Sequence, residues 1–422
     1  MADWLSRLET LSPKEINLGL ERVEQVLDRL ALTVPDDLLL IAGTNGKGSS
    51  VAMADALLRA SGRTVGAYTS PHISRFNERI VVNGEAASDA TIVSAFEAVN
   101  AARGDIVLTY FEFGTLAAAV IFAEARLDVW ILEIGLGGRL DACNAFNPSA
   151  SLITNVTLDH CEWLGHDVET IATEKAGVMR RDRPTIYGSE SMPQSVESAA
   201  RQRGAILRRA GRDYQVESTD DGRWSYVSEH RTLVSLLPPG LRGDFQTGNA
   251  AAVLMLLESA GLAAGIDAER VNKVLPELKL AGRMQNHMAF GRRWLLDVAH
   301  NPAAARMLAT TLAADRFAGQ TVAIVGLLND KDVEGVIAPL LPRVDRWVAM
   351  QPWSPRAIPA NELARQVANL AVRACLVATS TEEAVEFARR ITSENDRILV
   401  TGSFFTVAPV SDCLAFDGRN ET

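Results

Sequence analysis

The chain has 422 residues, 47% of them apolar and 22% charged, and its formal net charge is −10. A chain of this length is long for one hydrophobic core, so we expect two domains. The negative charge argues against nucleic acid and anionic membrane surfaces as bulk partners, because both favour clustered Lys and Arg. Four widely spaced cysteines without a CxxC pair fit reduced thiols. With no signal-peptide core and no apolar run of membrane-spanning length, we expect a cytoplasmic protein.

A helix is predicted before the first strand. The segment LGLERVEQVLDRLAL places apolar residues at helical spacing, namely Leu20, Val23, Val26, Leu27 and Leu30. Such a helix packs on a sheet. Only about forty residues precede the glycine-rich loop that follows, so we expect no additional substrate domain there.

Residues 38–60, LLLIAGTNGKGSSVAMADALLRA, join an apolar run to a helical pattern through a glycine-rich turn. This order predicts a buried parallel strand, an anion-binding loop and a helix whose first N–H groups are unpaired. Lys47 can reach terminal phosphates, and Ser49 or Ser50 can offer a hydroxyl to magnesium. The spacing departs from GxxxxGK[ST], because only two residues separate the first two glycines. The alternative is a glycine turn with a solvated lysine.

Polar side chains follow three further predicted strands. Ser70 comes directly after the segment TVGAYT, and Glu133 comes directly after VWIL. Asp159 and His160 come directly after SLITNVTL. The carboxyl ends of parallel strands share one edge of a sheet, so we expect these side chains to converge with Ser49. A carboxylate after a buried strand is costly unless it is paired or metal-bound, which makes Glu133 the best magnesium ligand by sequence alone. Turn capping for Ser70 and a core role for His160 are the alternatives.

The rest of the chain predicts an α/β fold with two domains. The glycines after Glu133 do not complete GxGxxG, because Leu140 occupies the last glycine position, which argues against a dinucleotide site. Residues 1–281 are predicted to form a P-loop ATPase-type domain with a mostly parallel sheet and, from alternating segments within 201–237, a small antiparallel sheet. Residues 282–422 alternate strands and helices without a second phosphate loop, which predicts a Rossmann-like α/β domain.

Several motifs resemble, in order, those of the folylpolyglutamate synthase and dihydrofolate synthase family within the Mur ligase superfamily. They are GTNGKGSS, SPH with RFNER, TYFEFGT, GLGGRLDACN, EKAG and GRMQ, and they extend over nearly the whole chain. The resemblance implies ATP-dependent ligation of L-glutamate to dihydropteroate and to reduced folates through an acyl phosphate. Three residues depart from the family pattern, with Asn17 replacing aspartate and Cys143 and Cys161 replacing threonine.

The resemblance also implies individual site residues. The implied nucleotide contacts are Thr44, Asn45, Gly46, Lys47, Gly48, Ser49, Asn249, Arg283, Asp297 and His300. The implied ligands of magnesium, with two ions expected, are Ser49, Ser70, Glu133, His160 and Lys175. The implied catalytic residues are Lys47, Lys175 and His160. The implied substrate contacts are Glu15, Ile16, Asn17, Thr109, Tyr110, Phe111, Glu112, Leu140, Asp141 and Ala142.

Some of these residues have ordinary structural alternatives. Aromatic residues before a helix are usually core, although a flat pterin among aromatics with a carboxylate nearby is chemically sensible. Asn249 is also a plausible N-cap. In this superfamily the EKAG lysine is commonly carbamylated, which requires the neutral amine that burial favours, and the sequence leaves open whether Lys175 is modified.

Two other functional classes stay open. A non-folate carboxylate–amine ligase would keep the phosphate loop, Glu133, His160 and Lys175 but lack the pterin segment, so residues 109–114 discriminate. A non-catalytic nucleotide-binding protein would bind ATP without turnover. The expected partners are dihydropteroate, reduced folates and L-glutamate, with neither nucleic acid nor a membrane, and we expect a monomer.

Overall fold

The computed structural model describes residues 1–12, 17–315 and 317–417. Its contacts divide the chain into two compact units. The first consists of Met1–Thr157, Leu164–Gly240 and Gln246–Leu278, and the second of Leu158–Trp163, Leu241–Phe245 and the chain from Lys279 onward. Two short segments of the amino-terminal part therefore pack with the second unit. The domain boundary predicted between residues 281 and 282 stays a prediction.

An eight-stranded sheet lies at the centre of the first unit. Its strands are β1 (Asp37–Ala42), β2 (Val65–Tyr68), β3 (Ile80–Val82), β4 (Glu85–Ala86), β5 (Val129–Glu133), β6 (Ala150–Ile153), β7 (Pro184–Tyr187) and β8 (Ile206–Arg209). The spatial order is β4-β3-β2-β5-β1-β6-β7-β8, with parallel pairing from β2 to β8 and antiparallel pairing at β3 and β4. Five of the six β1 residues are buried, which explains the continuous apolar run in the sequence.

Helices cover this sheet. The helices up to residue 278 are α1 (Ala2–Leu11), α2 (Glu21–Leu30), α3 (Lys47–Ala60), α4 (Asp89–Arg103), α5 (Tyr110–Glu124), α6 (Cys161–Leu164), α7 (Val168–Lys175), α8 (Gln194–Arg203), α9 (Phe245–Ser259) and α10 (Ala268–Val274). In α2, Val23 and Val26 are fully buried. Helix α5 is buried from Glu112 to Phe122, so it belongs to the interior of the unit.

The predicted small antiparallel sheet is confirmed. It consists of β9 (Tyr214–Ser218), β10 (Trp224–Ser228) and β11 (Thr232–Leu236), with β10 in the middle. Trp224 and Tyr226 of β10 are buried, whereas most of β9 is exposed. The sheet therefore has one packed face and one solvated face, as antiparallel sheets commonly do.

The second unit is built on a six-stranded sheet. Its strands are β12 (Gln285–Ala289), β13 (Arg292–Leu296), β14 (Thr321–Val325), β15 (Arg346–Met350), β16 (Cys375–Ala378) and β17 (Arg397–Thr401). The order is β12-β13-β17-β14-β15-β16, and only the β12–β13 pair is antiparallel among the described strands of this sheet. Its helices are α11 (Pro302–Ala314), α12 (Val333–Ile337), α13 (Ala360–Ala371), α14 (Thr381–Arg390) and α15 (Phe404–Asp417).

The α/β class with two parallel-sheet parts is thus confirmed. Each unit alternates strands and helices, and in each the polar residues singled out in the sequence follow strand ends. Among the described residues, we find no helix that combines the length and the apolar character needed to cross a bilayer.

Candidate active site

The glycine-rich turn joins β1 directly to α3. Gly43 and Gly46 adopt positive φ angles of 142° and 88°, and Gly46 is the N-cap residue of α3. A Cβ at Gly43 would collide with the Thr154 side chain, and one at Gly46 would come within 3.0 Å of Asn249 Oδ1. Glycine is therefore required by conformation and by space at both positions. The resulting loop exposes the N-terminus of a helix, which is a favourable position for an anion.

The two predicted catalytic lysines of the first unit donate to the same carbonyl oxygen. Lys47 Nζ and Lys175 Nζ each lie 3.1 Å from Gly43 O, and Lys47 Nζ also lies 3.4 Å from Thr44 O. Lys175 is only 4% exposed, at the end of α7. The fold therefore places two amines at the phosphate loop, although Lys47 and Lys175 are 128 positions apart in the sequence.

Glu133 brings a carboxylate to the same place. It is the last residue of β5 and is 4% exposed, and its Oε2 accepts the backbone N–H of Ser70 at 3.2 Å. Oε2 also lies 3.6 Å from the position that a Cβ on Gly48 would take. Glu133, Ser70 and the start of α3 therefore meet at one edge of the sheet, as neighbouring parallel strands should arrange them.

The remaining predicted loop residues are held by residues that the sequence did not single out. Asn155 accepts Asn45 N–H at 3.0 Å through Oδ1 and donates to Asn45 O at 3.1 Å. Gln246 Nε2 donates to Ser49 Oγ at 3.3 Å, and Gln246 Oε1 accepts from Asn249 Nδ2 at 3.0 Å. Asn249 lies inside α9, so the predicted alternative of an N-cap is wrong for this residue. Only the position of Asn155 after a strand hinted at its role.

The TYFEFGT segment forms the start of α5 and an aromatic cluster. The Tyr110 and Phe111 rings lie 5.9 Å from those of Phe76 and Tyr68, respectively. The Arg79 guanidinium lies 5.4 Å from the Tyr110 ring centre and 5.5 Å from that of Phe76. A cation over aromatic faces is a stabilising arrangement, and the RFNER motif contains both the arginine and the phenylalanine that produce it. Sequence analysis missed Arg79 as a neighbour of the aromatic segment.

Thr109 and Glu112 form a capping box at the start of α5. Thr109 Oγ1 accepts Glu112 N–H at 3.3 Å, and Glu112 Oε2 accepts Thr109 N–H at 2.7 Å. Glu112 Oε1 also accepts from Arg22 Nη2 of α2 at 2.7 Å. Both residues are 4% exposed. Glu112 therefore stabilises the helix start and neutralises Arg22, in addition to any contact with substrate.

Asp141 organises the turn after β5. Its Oδ2 accepts Leu136 N–H at 2.9 Å and its Oδ1 accepts Cys143 N–H at 3.0 Å. Burial raises the pKa of Asp141 to about 6, while these N–H groups oppose the increase. The adjacent Ala142 is buried and Leu140 is partly exposed. The predicted contacts Glu15 and Ile16 lie outside the described residues, and Asn17 is exposed with its carbonyl accepting from Arg22 at 2.6 Å.

The second unit holds the other predicted nucleotide contacts at the carboxyl end of β13. Asp297 accepts the N–H groups of Met284 at 3.0 Å and Ala299 at 2.9 Å. Burial raises the pKa of Asp297, whereas the Arg283 guanidinium lowers it. His300 Nδ1 lies 2.7 Å from Val298 O, which fixes the imidazole at the same strand end.

A charged cluster in the second unit surrounds Asp159. Lys331 Nζ lies 2.7 Å from Asp159 Oδ1, and their side chains are 6% and 7% exposed. Asp159 Oδ2 accepts from Asn301 Nδ2 at 3.0 Å and lies 3.5 Å from His300 Nε2. The Leu158–Trp163 segment, which carries the predicted metal ligand His160, is thereby bound to the second unit. Neither Lys331 nor Asn301 gave a functional signal in the sequence.

Comparison with known proteins identifies the class of enzyme to which this chain belongs. Residues 282–404 match the family model described as Mur ligase, glutamate ligase domain. The dihydrofolate synthase/folylpolyglutamate synthase of Escherichia coli (strain K12) is 39% identical over 418 residues, which cover 98% of this chain and 95% of that protein. The fold and these matches define an ADP-forming ligase of the Mur type.

Solved structures agree with this class. E. coli FolC in complex with DHPP and ADP is 38% identical, with a TM-score of 0.91 and coverage of 99% of this chain and 98% of that chain. A bifunctional folylpolyglutamate synthase/dihydrofolate synthase with Mn, AMPPNP and L-glutamate bound is 40% identical, with a TM-score of 0.89 and 98% of both chains covered. The chain belongs to the dihydrofolate synthase/folylpolyglutamate synthase family.

Proposed function

We propose that this protein joins L-glutamate to dihydropteroate and to reduced folates in two ATP-dependent reactions. The observation that carries the proposal is the phosphate loop, where two lysines share one carbonyl and a buried carboxylate lies beside the helix start. In each reaction a substrate carboxylate attacks the γ-phosphorus of ATP, which gives an acyl phosphate and ADP. The amine of L-glutamate then displaces phosphate through a tetrahedral intermediate, and an amide forms.

The chain's own groups position and neutralise these reactants. The N–H groups at the start of α3 and the Lys47 ammonium bind the phosphates of ATP, where charge increases in the transition state. Such catalysis needs mainly fixed geometry, because phosphoryl transfer requires little covalent chemistry from the protein. The glycines and the Thr154 and Asn155 contacts supply that fixed geometry around residues 43–46.

The donors near the loop fit magnesium. The Glu133 carboxylate and the hydroxyls of Ser49 and Ser70 are hard oxygen ligands, and Glu133 lies at a strand end beside the loop. Across the described ranges, no three His, Cys, Asp or Glu side chains come together to hold a metal ion. A site here would therefore use hydroxyl and phosphate oxygens besides Glu133. A bound Mg²⁺ would neutralise the β- and γ-phosphate oxygens.

The finer assignments belong to the same proposal. His160 would be a further metal ligand, two magnesium ions would be bound, and Lys175 would react with CO₂ to form a carbamate that adds a carboxylate-like ligand. The burial of Lys175 supports this last point, since burial favours the neutral amine that carbamylation needs. We also propose that the protein is a monomer and that it binds neither nucleic acid nor a membrane.

The pterin site is proposed at the aromatic cluster around Tyr110 and Phe111. The ring faces and the Arg79 cation offer stacking for a flat heterocycle, and Leu140, Asp141 and Ala142 extend the site along the turn after β5. The related E. coli structure contains DHPP, which supports a pterin-type substrate for this chain. A ligase that acts on a carboxylate other than a folate would not require this aromatic segment.

Assaying both reactions in one purified sample tests the proposal. ADP release should depend on L-glutamate together with either dihydropteroate or a reduced folate, and mass spectrometry should show dihydrofolate and a folate extended by one glutamate. ATP binding without any turnover would instead identify a non-catalytic nucleotide-binding protein. Turnover with neither folate substrate would point to a ligase for another carboxylate.

A further inference from the structure

A cavity of about 600 Å³ lies at the amino-terminal edge of the six-stranded sheet in the second unit. It is lined by the first residues of two strands, Thr321 of β14 and Arg397 of β17, and by Asp345 just before β15. The predicted nucleotide contacts Asp297 and His300 follow the opposite, carboxyl end of β13. Five-residue parallel strands are about 13 Å long, so the cavity is separate from those contacts.

Arginine dominates the charge of this cavity. The charged residues that line it are Arg343, Arg373, Arg397, Asp315 and Asp345. Three guanidinium groups converge on Asp315 Oδ2, with Arg397 at 3.1 Å, Arg293 at 3.2 Å and Arg242 at 3.8 Å. Three arginines and two aspartates thus line the cavity, and Arg293 and Arg242 approach Asp315 in addition, in a protein whose formal net charge is −10.

The two aspartates are already occupied. Asp315 is shared by three arginines, and Asp345 Oδ2 accepts the Thr321 N–H at 2.8 Å. The contact between Arg373 Nη1 and Asp345, at 3.2 Å, uses the backbone carbonyl and not the carboxylate. Among the charged residues that line the cavity, the three arginines thus outnumber the two aspartates.

Arg397 gives the cavity a rigid cationic wall. It is 3% exposed, its Nε donates to Thr321 Oγ1 at 2.8 Å, and its guanidinium lies 4.5 Å from the Phe317 ring centre. Burial lowers the pKa of Arg397, Asp315 opposes this, and Arg293 and Arg242 lower it further. A fixed and partly desolvated guanidinium is well suited to bind carboxylate or phosphate oxygens.

We propose that this cavity binds a small polyanion through carboxylate or phosphate groups that contact Arg343, Arg373 and Arg397. The volume accommodates a ligand of metabolite size. The site is independent of the proposed ligase chemistry, because none of its residues belongs to the predicted active site.

Isothermal titration of the full chain with tricarballylate and with pyrophosphate tests this site. Arg343 and Arg373 are exposed, so Arg343→Gln and Arg373→Gln should leave the fold intact, which equal unfolding midpoints would verify. Each variant should weaken binding about tenfold, the effect of losing one charge-assisted contact. Arg365→Gln, an exposed arginine on α13, is the matched control and should bind as the parent protein does.

The comparison with variants also separates this cavity from the phosphate loop, which pyrophosphate can reach as well. Binding of tricarballylate alone that the variants weaken would identify a carboxylate site, and binding of pyrophosphate alone that they weaken would identify a phosphate site. The proposal is overturned if neither probe binds at millimolar concentration. It is also overturned if the double variant Arg343→Gln with Arg373→Gln binds both probes as tightly as the parent protein.

Discussion

Lys47 and Lys175 share one carbonyl oxygen, and this juxtaposition is the clearest residue-level sign of a phosphate site. Two protonated amines at one carbonyl would repel each other unless negative charge lies close by. The Glu133 carboxylate lies 3.6 Å from the position of a Cβ on Gly48, and the carbamate proposed for Lys175 would replace one of the two positive charges by a negative one. Lys47 would then be the ammonium that binds the phosphates of ATP.

Replacing Lys47 with alanine should reduce turnover by about 10²–10³-fold or more, because its charge stabilises the transition state. The phosphate-release rate with ATP, L-glutamate and a folate measures the effect. Lys273→Ala, at an exposed position on α10, is the control and should keep the parent rate. A normal rate for Lys47→Ala would refute the assignment of the phosphate loop.

Asp141 makes stability depend on pH in an unusual direction. Its pKa of about 6 in the folded protein lies above its ordinary value of 3.8. The folded state therefore keeps a proton that the unfolded chain has lost, and this contribution to stability is fully present below about pH 3.8. It disappears as the pH rises through about 6.

The Asp141→Asn variant should lack this dependence. Relative to the variant, the parent protein should lose about 3 kcal/mol of unfolding free energy between roughly pH 4 and pH 7. Urea unfolding at several pH values measures the difference, with Asp182→Asn as an exposed control. Parallel curves for the parent and Asp141→Asn would show that the carboxyl titrates normally.

At the scale of the element, α5 begins with a capping box that also lies at the proposed pterin site. Dihydropteroate ends at its benzoate, whereas a folate extends further by one glutamate. One γ-phosphate would serve both reactions, so we predict two partly separate positions for the pterin ring. We assign the segment from Thr109 to Glu112 to dihydropteroate.

Glu112→Ala should therefore impair dihydrofolate formation more than glutamate addition to a folate. Because alanine also removes the helix cap and leaves Arg22 without its carboxylate, Glu112→Gln is the matched variant that keeps an acceptor for Thr109 N–H. Comparing kcat/KM losses as transition-state free energies for both reactions measures the selectivity. Equal losses in both reactions, for both variants, would contradict the two-position model.

The Leu158–Trp163 segment depends on Asp159 for its attachment to the second unit. Burial alone would raise the pKa of Asp159. The His300 hydrogen bond and the nearby positive charges outweigh burial and hold this pKa well below its usual range. Asp159→Asn should reduce the unfolding free energy by about 1–3 kcal/mol, because the buried Lys331 ammonium then keeps the Asp330 carboxylate at 3.2 Å but loses the closer one. Denaturant unfolding measures the loss, and Asp412→Asn on α15 is an exposed control. An unchanged midpoint would show that the pair contributes nothing.

Some of these structural features can be predicted from the sequence and others cannot. The strand before the phosphate loop and the strand-end residues Ser70 and Glu133 could be predicted, because burial and strand polarity leave a local pattern. The capping box of Thr109 and Glu112 is encoded locally as T-x-x-E, within the TYFEFGT motif. The Asp159–Lys331 contact joins residues 172 positions apart, and no local pattern encodes such a pair.

For the whole molecule, the two-part α/β fold followed from the order of strands and helices, and family membership is established by relatives that match nearly the full length. The first unit contains the phosphate loop, and the predicted nucleotide contacts Arg283, Asp297 and His300 belong to the second unit. The arginine-lined cavity of the second unit, for which we propose polyanion binding, could not be predicted from the sequence. Its arginines come from separate segments of the chain and share no motif.

Oxygen transfer from the substrate carboxylate is the most direct test of the proposed chemistry. Dihydropteroate labelled with ¹⁸O in its carboxylate would be incubated with ATP, magnesium, L-glutamate and the full-length protein, and the released phosphate analysed by mass spectrometry. If the carboxylate attacks the γ-phosphorus, one labelled oxygen should appear in phosphate for each dihydrofolate formed. Dihydrofolate accompanied by unlabelled phosphate would contradict an acyl-phosphate intermediate.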